Sequence, residues 1–140
     1  MKILKKSLFT VLILTSLFSF TTTESSYVGK WKGQDKGEIG FLILDNDGYI
    51  KIEFEEQTIG GKSFYQNNVE LSMKYVVNDF VFPSSIDLII VRNSDDKELR
   101  RMKGIVSLES NDEMLIALNF DGTERPKDFL KDAITFNRVK

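Results

Sequence analysis

Beyond residue 26, apolar and polar residues alternate with a period of two, and the apolar spacing of an amphipathic helix is nearly absent. In the segment 49–56, for example, Ile50, Ile52 and Phe54 alternate with Lys51 and Glu53. This pattern predicts strands with one buried face and one solvated face. The predicted strands are 27–32, 38–44, 49–56, 69–77, 85–91, 99–108, 114–120 and 133–139, with a further short strand at 63–65.

The connections between these strands are mostly short. "DNDG" at 45–48 predicts a hairpin turn, "QTIGGK" at 57–62 predicts a loop, and the irregular segment 121–132 predicts one helical turn beginning at Pro126. Consecutive antiparallel strands with one apolar face form either a sandwich or an up-and-down barrel. Eight strands close a barrel that can hold one small ligand, and closure leaves no sheet edge exposed. We expect an all-β fold, an eight- to nine-stranded antiparallel up-and-down barrel.

The N-terminal segment has the pattern of a secretory signal peptide. Lys2, Lys5 and Lys6 precede an apolar run at 7–20, which is shorter than the ~20 residues that a membrane-spanning helix needs. We therefore predict a signal peptide at 1–23, a single domain at 24–140, and a secreted or periplasmic protein that does not span the membrane. The alternative is an uncleaved N-terminal anchor. Since no cysteine follows the apolar run, a lipoprotein is not expected.

Charge argues against several classes of partner. Removal of residues 1–23 takes away three lysines and no acid, so the net charge falls from −2 to about −5. This acidic balance disfavours binding to nucleic acid or to anionic membrane surfaces. The chain has no cysteine, so the domain must be stable without disulfides, and its length allows a sufficient core.

The side chains that most enzymes use are missing. Histidine and cysteine are both absent, which excludes Ser-His and Cys-His nucleophilic pairs and zinc sites built on these residues. We expect no catalytic residues, no metal site and no cofactor. An enzyme that uses carboxylates is the least favoured alternative.

Two acidic motifs favour structural interpretations. If Gly48 of "DNDG" is the sixth position of a calcium loop, the first and twelfth positions are Ile43 and Phe54, so the EF-hand pattern fails and a turn is expected. Glu53 and Glu55 lie on the polar face of the strand at 49–56, next to Glu56. A solvated outer face is expected there rather than a glycosidase pair.

The start of the mature chain resembles the lipocalins. Gly29, Lys30 and Trp31 match the G-x-W motif that opens the first lipocalin strand. In that family the tryptophan plugs the closed end of the barrel and an arginine of the last strand packs over the indole. Arg138 is in position to do this here, through a cation–π contact. Gly29, Trp31 and Arg138 are therefore the predicted structural plug.

The C-terminal half is similar to a family of small secreted bacterial domains first grouped from planctomycetes. That family has P-x-x-I-D-L, then G-I-Y with a D-x-L-x-L strand, then R-P-x-x-F and a terminal arginine. Val106 replaces its tyrosine and Met114 its leucine. The resemblance implies a lipocalin-like barrel and no particular activity. The matching residues are Pro83, Ile86, Asp87, Leu88, Gly104, Ile105, Arg125, Pro126, Phe129 and Arg138.

The polar segment "ERPKDF" at 124–129 allows two interpretations. Arg125 could bind a ligand carboxylate with two hydrogen bonds. It could instead tie the loop before the last strand to the barrel through Asp87, with Phe129 folded under the loop as an apolar plug, and we favour this structural role.

The inward apolar stripes give the leading functional hypothesis. They predict either a filled core or a cup for a small hydrophobic ligand, because ligand cavities are mostly apolar with a few polar groups. The first function that we expect is a non-enzymatic, lipocalin-like carrier. The alternative is a packed barrel that acts by its surface, as an envelope interaction or inhibitor module, through long loops at 57–68 and 121–132. The predicted ligand-lining residues are Ile52, Phe54, Leu71, Met73, Tyr75, Leu88, Ile90, Ile116 and Phe136.

Overall fold

The computed structural model of the protein describes residues 26–121 and 123–140, so the predicted signal peptide at 1–23 lies outside the described residues. The described residues form nine strands and no helix. The strands are β1 (Gly29–Asp35), β2 (Glu38–Leu44), β3 (Ile50–Phe54), β4 (Gln57–Gln66), β5 (Val69–Asn78), β6 (Ser85–Arg92), β7 (Lys97–Leu108), β8 (Glu113–Asn119) and β9 (Ala133–Arg138).

These strands close into one antiparallel up-and-down barrel in sequence order, which confirms the predicted fold class. Each strand pairs with the next, and β9 returns to pair with β1, where Trp31 lies opposite Arg138. Closure gives both terminal strands a partner and removes the free edges of the sheet. The period-two alternation of the sequence therefore becomes an inner and an outer face around the whole ring.

A sharp bend in β4 makes the closure possible. Strand directions alternate between antiparallel neighbours, so an odd number of straight strands cannot close with every pair antiparallel. β4 resolves the mismatch because its first half, up to Gly60, pairs with β3 and its second half, from Gly61, pairs with β5. Tyr49, just before β3, bridges directly to Lys74 of β5. The strand directions around the ring therefore alternate as they do in an eight-stranded barrel. β4 bends between β3 and β5 and so does not disturb this alternation.

The bend explains why two predictions in this region are wrong. The segment 57–62 is not a loop, and no long loop spans 57–68, because β4 covers Gln57–Gln66. Gly60 and Gly61 have φ of +99° and +79°, a region that other residues rarely adopt. The glycine pair bends a strand that continues on both sides, whereas the sequence pattern indicated that the strand ends there.

Two smaller predictions also need correction. The first strand begins at Gly29 rather than at residue 27, because the carbonyl of Tyr27 accepts a hydrogen bond from the Trp31 indole at the end of the barrel. No helical turn begins at Pro126. The polar groups around it bond to neighbouring strands instead, since the Asn119 side chain donates to the carbonyl of Glu124.

The core fills one end of the barrel and leaves the other open. Trp31, Ile86 and Met114 are completely buried at its centre. The strand directions place the turns 45–49, 79–84 and 109–112 at the end that contains Trp31, which we call the closed end. The turns 36–37 and 55–56 and the segment 120–132 lie at the opposite end, the open end.

The described part of the chain contains no helix long and apolar enough to cross a membrane.

Candidate functional site

An apolar cavity of about 310 Å³ lies inside the barrel and opens at the open end. This volume is at the lower limit of small-molecule sites, which run from about 300 to 1,000 Å³. The interior is therefore not completely filled by side chains. Its wall is lined by Gly33, Gly40, Leu42, Ile50, Ile52, Phe54, Ile86, Leu88, Ile116, Leu118, Phe120, Ile134 and Phe136.

Five of the nine predicted ligand-lining residues lie on this wall: Ile52, Phe54, Leu88, Ile116 and Phe136. They come from β3, β6, β8 and β9, so the barrel brings together positions far apart in the sequence. Each was selected because it falls on the apolar side of an alternating strand. The alternation thus identifies side chains that line the cavity from four separate strands.

The other four predicted residues do not line the cavity. Leu71 and Met73 are buried, and Ile90 packs against the core. The Tyr75 hydroxyl donates a hydrogen bond of 2.8 Å to the carbonyl of Asp45 in the closed-end turn. Three of these side chains come from β5, where side chains fill the space, so the cavity lies against the other side of the barrel.

Two glycines that face each other form part of the cavity wall. A search for alternating large apolar residues does not predict this part. Gly33 of β1 lies directly opposite Gly40 of β2, and both line the cavity. A Cβ on Gly33 would come within 2.4 Å of the Phe136 ring, so that ring occupies the space that a side chain would need. Glycine at the inward positions of two adjacent strands is the sequence signal for this part of the wall.

The closed end is plugged by Trp31 and Arg138. The Trp31 side chain is 0 % exposed, and the guanidinium carbon of Arg138 lies 4.2 Å from the centroid of its ring. Arg138 also donates to the carbonyls of Ser26, Val28 and Asn111, at 2.9, 2.7 and 2.7 Å. The arginine therefore joins the segment just before β1, the β7–β8 turn and the indole at one point.

Gly29 permits this approach. A Cβ on Gly29 would lie 2.5 Å from Nη1 of Arg138, and its φ is +143°. Any larger residue would have to displace the guanidinium. The three residues that the G-x-W resemblance assigned to the plug are in contact with one another.

Comparison with known proteins finds no match. No family model, no curated protein and no solved structure matches this chain. The function must therefore be argued from the geometry of the barrel itself.

Tyr27 strengthens the closed end beside the plug. Its hydroxyl donates a hydrogen bond of 2.8 Å to Asp79, in the loop between β5 and β6. Burial and the hydrogen bond to this carboxylate together raise the pKa of Tyr27 to about 12. The neutral hydroxyl is thus retained over a wide pH range, and the loop is tied to the segment just before β1.

On the outer face, Asp87 of β6 binds two arginines. Arg125 donates to Oδ1 at 2.6 Å and Arg101 of β7 donates to Oδ2 at 2.7 Å. Arg125 also donates to the carbonyl of Gly104 at 2.7 Å, and Phe129 of the same segment is half-buried. Arg125 is therefore engaged by the barrel wall, outside the cavity, in the position expected of a loop tie.

The two arginines set the ionisation of Asp87. Burial alone would raise the pKa of this carboxyl, but hydrogen bonds and charge from Arg125 and Arg101 outweigh that effect and keep it below its usual range. A carboxylate with a lowered folded-state pKa stabilises the fold above its unfolded pKa of about 3.9. That stabilisation is lost as the pH falls through the folded-state pKa.

We therefore predict that Asp87→Asn lowers the free energy of unfolding by about 1–2 kcal/mol at pH 7, since both arginines are partly exposed to screening solvent. The difference from the wild-type protein should shrink as the pH is lowered from about 5 towards 3. Urea denaturation at several pH values measures it. Asp96→Asn is the control and should have a smaller effect, because the Asp96 side chain is exposed and forms no ion pair among the described residues. A pH-independent difference would contradict the assignment.

The other acidic motifs are structural in the described residues. Oδ1 of Asp45 accepts hydrogen bonds from the backbone amides of Asp47 and Tyr49, which forms the turn that the sequence predicted. Glu53 forms an ion pair of 3.4 Å with Lys30 of the first strand. Within 26–121 and 123–140, no group of three or more acidic side chains is arranged to hold a metal ion.

The loop between β5 and β6 exposes an apolar tip at the closed end. Phe80 and Phe82 are fully exposed and flank Val81, which is also exposed. The loop has a defined backbone, because the amide of Phe80 bonds to the side chain of Asn78 and the amide of Val106 bonds to the carbonyl of Ser84. Two exposed phenylalanines separated by one exposed valine form an apolar surface patch, the kind of feature that marks contact sites.

Proposed function

We propose that this protein is a secreted or periplasmic, lipocalin-like carrier that binds a small hydrophobic molecule in its barrel and catalyses no reaction. The observation that carries the proposal is the apolar cavity, which is open at one end and sealed at the other by Trp31. The absence of histidine and cysteine from the chain agrees with a binding role.

The wall of the cavity supports binding by shape and apolar contact. Its inner part consists of aliphatic and aromatic side chains and two glycines, and its polar residues are Gln34, Asp35, Glu38, Glu53 and Asp132. In the described residues, every buried side-chain nitrogen or oxygen has a hydrogen-bond partner. The deep wall therefore presents no buried polar side chain that a ligand must satisfy, which suits an apolar ligand tail.

Binding of the neutral fluorescent probe N-phenyl-1-naphthylamine tests the proposal. We expect saturable binding to protein produced from the full chain, because the probe is apolar and small. Ile52→Trp places an indole against the cavity and should weaken binding by about tenfold or more, since lost apolar contacts of about 1.4 kcal/mol have this effect.

Tyr65→Trp is the matched control, because Tyr65 is exposed on β4 and does not line the cavity. It adds the same side chain and should bind the probe as the wild-type protein does. Circular dichroism of both variants tests whether they are folded. Absence of saturable binding to the wild-type protein, or equal binding by both variants, would contradict the proposal.

A second candidate function is an envelope interaction module that acts through the exposed tip of the β5–β6 loop. It is favoured by the two fully exposed phenylalanines, Phe80 and Phe82. If this is the main function, exchanging both for serine should abolish co-purification of a partner protein and leave probe binding unchanged. Equal recovery of the partner by wild type and variant would contradict it.

A further inference from the structure

The rim of the cavity carries acidic side chains. Asp35, Glu38 and Asp132 all line it, and no lysine or arginine of the described residues does so. Asp35 ends β1, Glu38 begins β2 and Asp132 immediately precedes β9, so these three lie at the open end. A ligand whose apolar part lies inside the barrel therefore has its polar group beside these carboxylates.

Asp35 and Glu38 lie directly opposite each other in the pairing of β1 with β2. They share the inward-facing register of Trp31 and Leu42 on the same two strands. Like charges at directly opposite positions destabilise a sheet. The barrel thus has an unfavourable arrangement of charge where a ligand head group would lie, and a cation placed there would relieve it.

The neighbouring basic groups do not cancel this charge through ion pairs. Among the described residues, Asp35, Glu38 and Asp132 form no salt bridge, whereas Glu53 is paired with Lys30. Arg100 donates a hydrogen bond of 2.7 Å to the backbone carbonyl of Phe120, a residue that lines the rim. Lys36 follows Asp35 in the sequence and Lys131 precedes Asp132. Both lysines are exposed to solvent.

We infer that the ligand is an amphiphile with a positively charged, amine-type head group, which the negative charges of Asp35, Glu38 and Asp132 attract to the rim above an apolar tail. This inference rests on the proposed carrier function and adds the class of ligand to it. No three acidic side chains of the described residues converge as metal ligands do, so the rim carboxylates act on the head group through their combined charge. Fatty acids and other anionic amphiphiles are disfavoured by the same carboxylates.

Three compounds with the same tail isolate the effect of the head group. Octylamine is cationic at pH 7, octanol is neutral and octanoate is anionic. Each is titrated calorimetrically into protein produced from the full chain. We expect octylamine to bind about tenfold more tightly than octanoate at low ionic strength, with octanol between them. The difference should narrow at 0.5 M salt, where the Debye length is only a few ångströms.

Charge-removing variants locate the effect. Combining Asp35→Asn, Glu38→Gln and Asp132→Asn should abolish the preference for octylamine over octanoate. The control combines Asp47→Asn, Glu109→Gln and Glu113→Gln, which make the same change in net charge at the closed end. This control should keep the preference, because the responsible charges are at the rim.

The outcomes separate this inference from the proposed function. Octanol binding without discrimination between octylamine and octanoate would overturn the cationic head group and leave the carrier in place. Loss of the preference in the closed-end control would likewise overturn the rim assignment. If none of the three compounds binds, both the inference and the carrier proposal fail.

Discussion

Replacing Trp31 with alanine should lower the free energy of unfolding by about 3–5 kcal/mol, the usual cost of deleting a large buried aromatic side chain. The indole is 0 % exposed and contacts the guanidinium of Arg138 on one face. Its Nε1–H donates to the carbonyl of Tyr27 at 2.9 Å. The substitution leaves a cavity and removes the surface on which Arg138 packs. Guanidinium or urea denaturation followed by circular dichroism measures the loss.

Phe82→Ala is the matched control. It also deletes a large aromatic side chain, but Phe82 is fully exposed in the β5–β6 loop, so the expected change is within about 0.5 kcal/mol. A loss below about 1 kcal/mol for Trp31→Ala would show that the indole does not act as the plug of the barrel. The G-x-W motif would then have no structural meaning in this chain.

Replacing Gly60 with alanine should destabilise the protein by about 3 kcal/mol or more. The new Cβ would lie 2.3 Å from the carbonyl oxygen of Ile50 and 2.6 Å from Cε of Met73, and φ at this position is +99°. A strained φ costs about 1–3 kcal/mol, and overpacking costs a similar amount. Because the bend of β4 depends on this position, the loss should appear as a lower midpoint of denaturation.

Gly37→Ala separates the two contributions. Gly37 has a similar φ of +84°, but a Cβ there would meet nothing within 4 Å. We expect it to cost about 1 kcal/mol, from backbone strain alone. Equal stability of the two variants would show that the close approach of β3 and β4 at Gly60 is not required for closure.

The sequence predicts the individual strands well because the alternation of apolar and polar residues within a strand is a local pattern. The strand at 49–56 is recognisable from Ile50, Ile52 and Phe54 without any knowledge of its neighbours. The bend in β4 is not predictable in this way. Two adjacent glycines indicate either the end of a strand or a bend within one, and only the pairing of Gly60 with Lys51 and of Gly61 with Met73 decides between them.

The cavity is only partly predictable for a related reason. Alternation identifies which side chains point inward, but not where they meet across the barrel. Met73 and Leu88 follow the same pattern on neighbouring strands, yet only Leu88 lines the cavity. The acidic rim is harder still, because Asp35 and Asp132 are separated in the sequence and lie at one opening only after β9 has paired with β1.

Methyl NMR of isoleucine-labelled protein shows directly whether a ligand enters the barrel, because the cavity wall is rich in isoleucine. Ile50, Ile52, Ile86, Ile116 and Ile134 line the cavity, whereas Ile39, Ile43, Ile59, Ile89, Ile90 and Ile105 do not. We expect titration with octanol to shift the methyl signals of the first group in a saturable way and to leave most of the second group unchanged. Unperturbed signals from the lining isoleucines, or shifts confined to the second group, would contradict a ligand cavity inside the barrel.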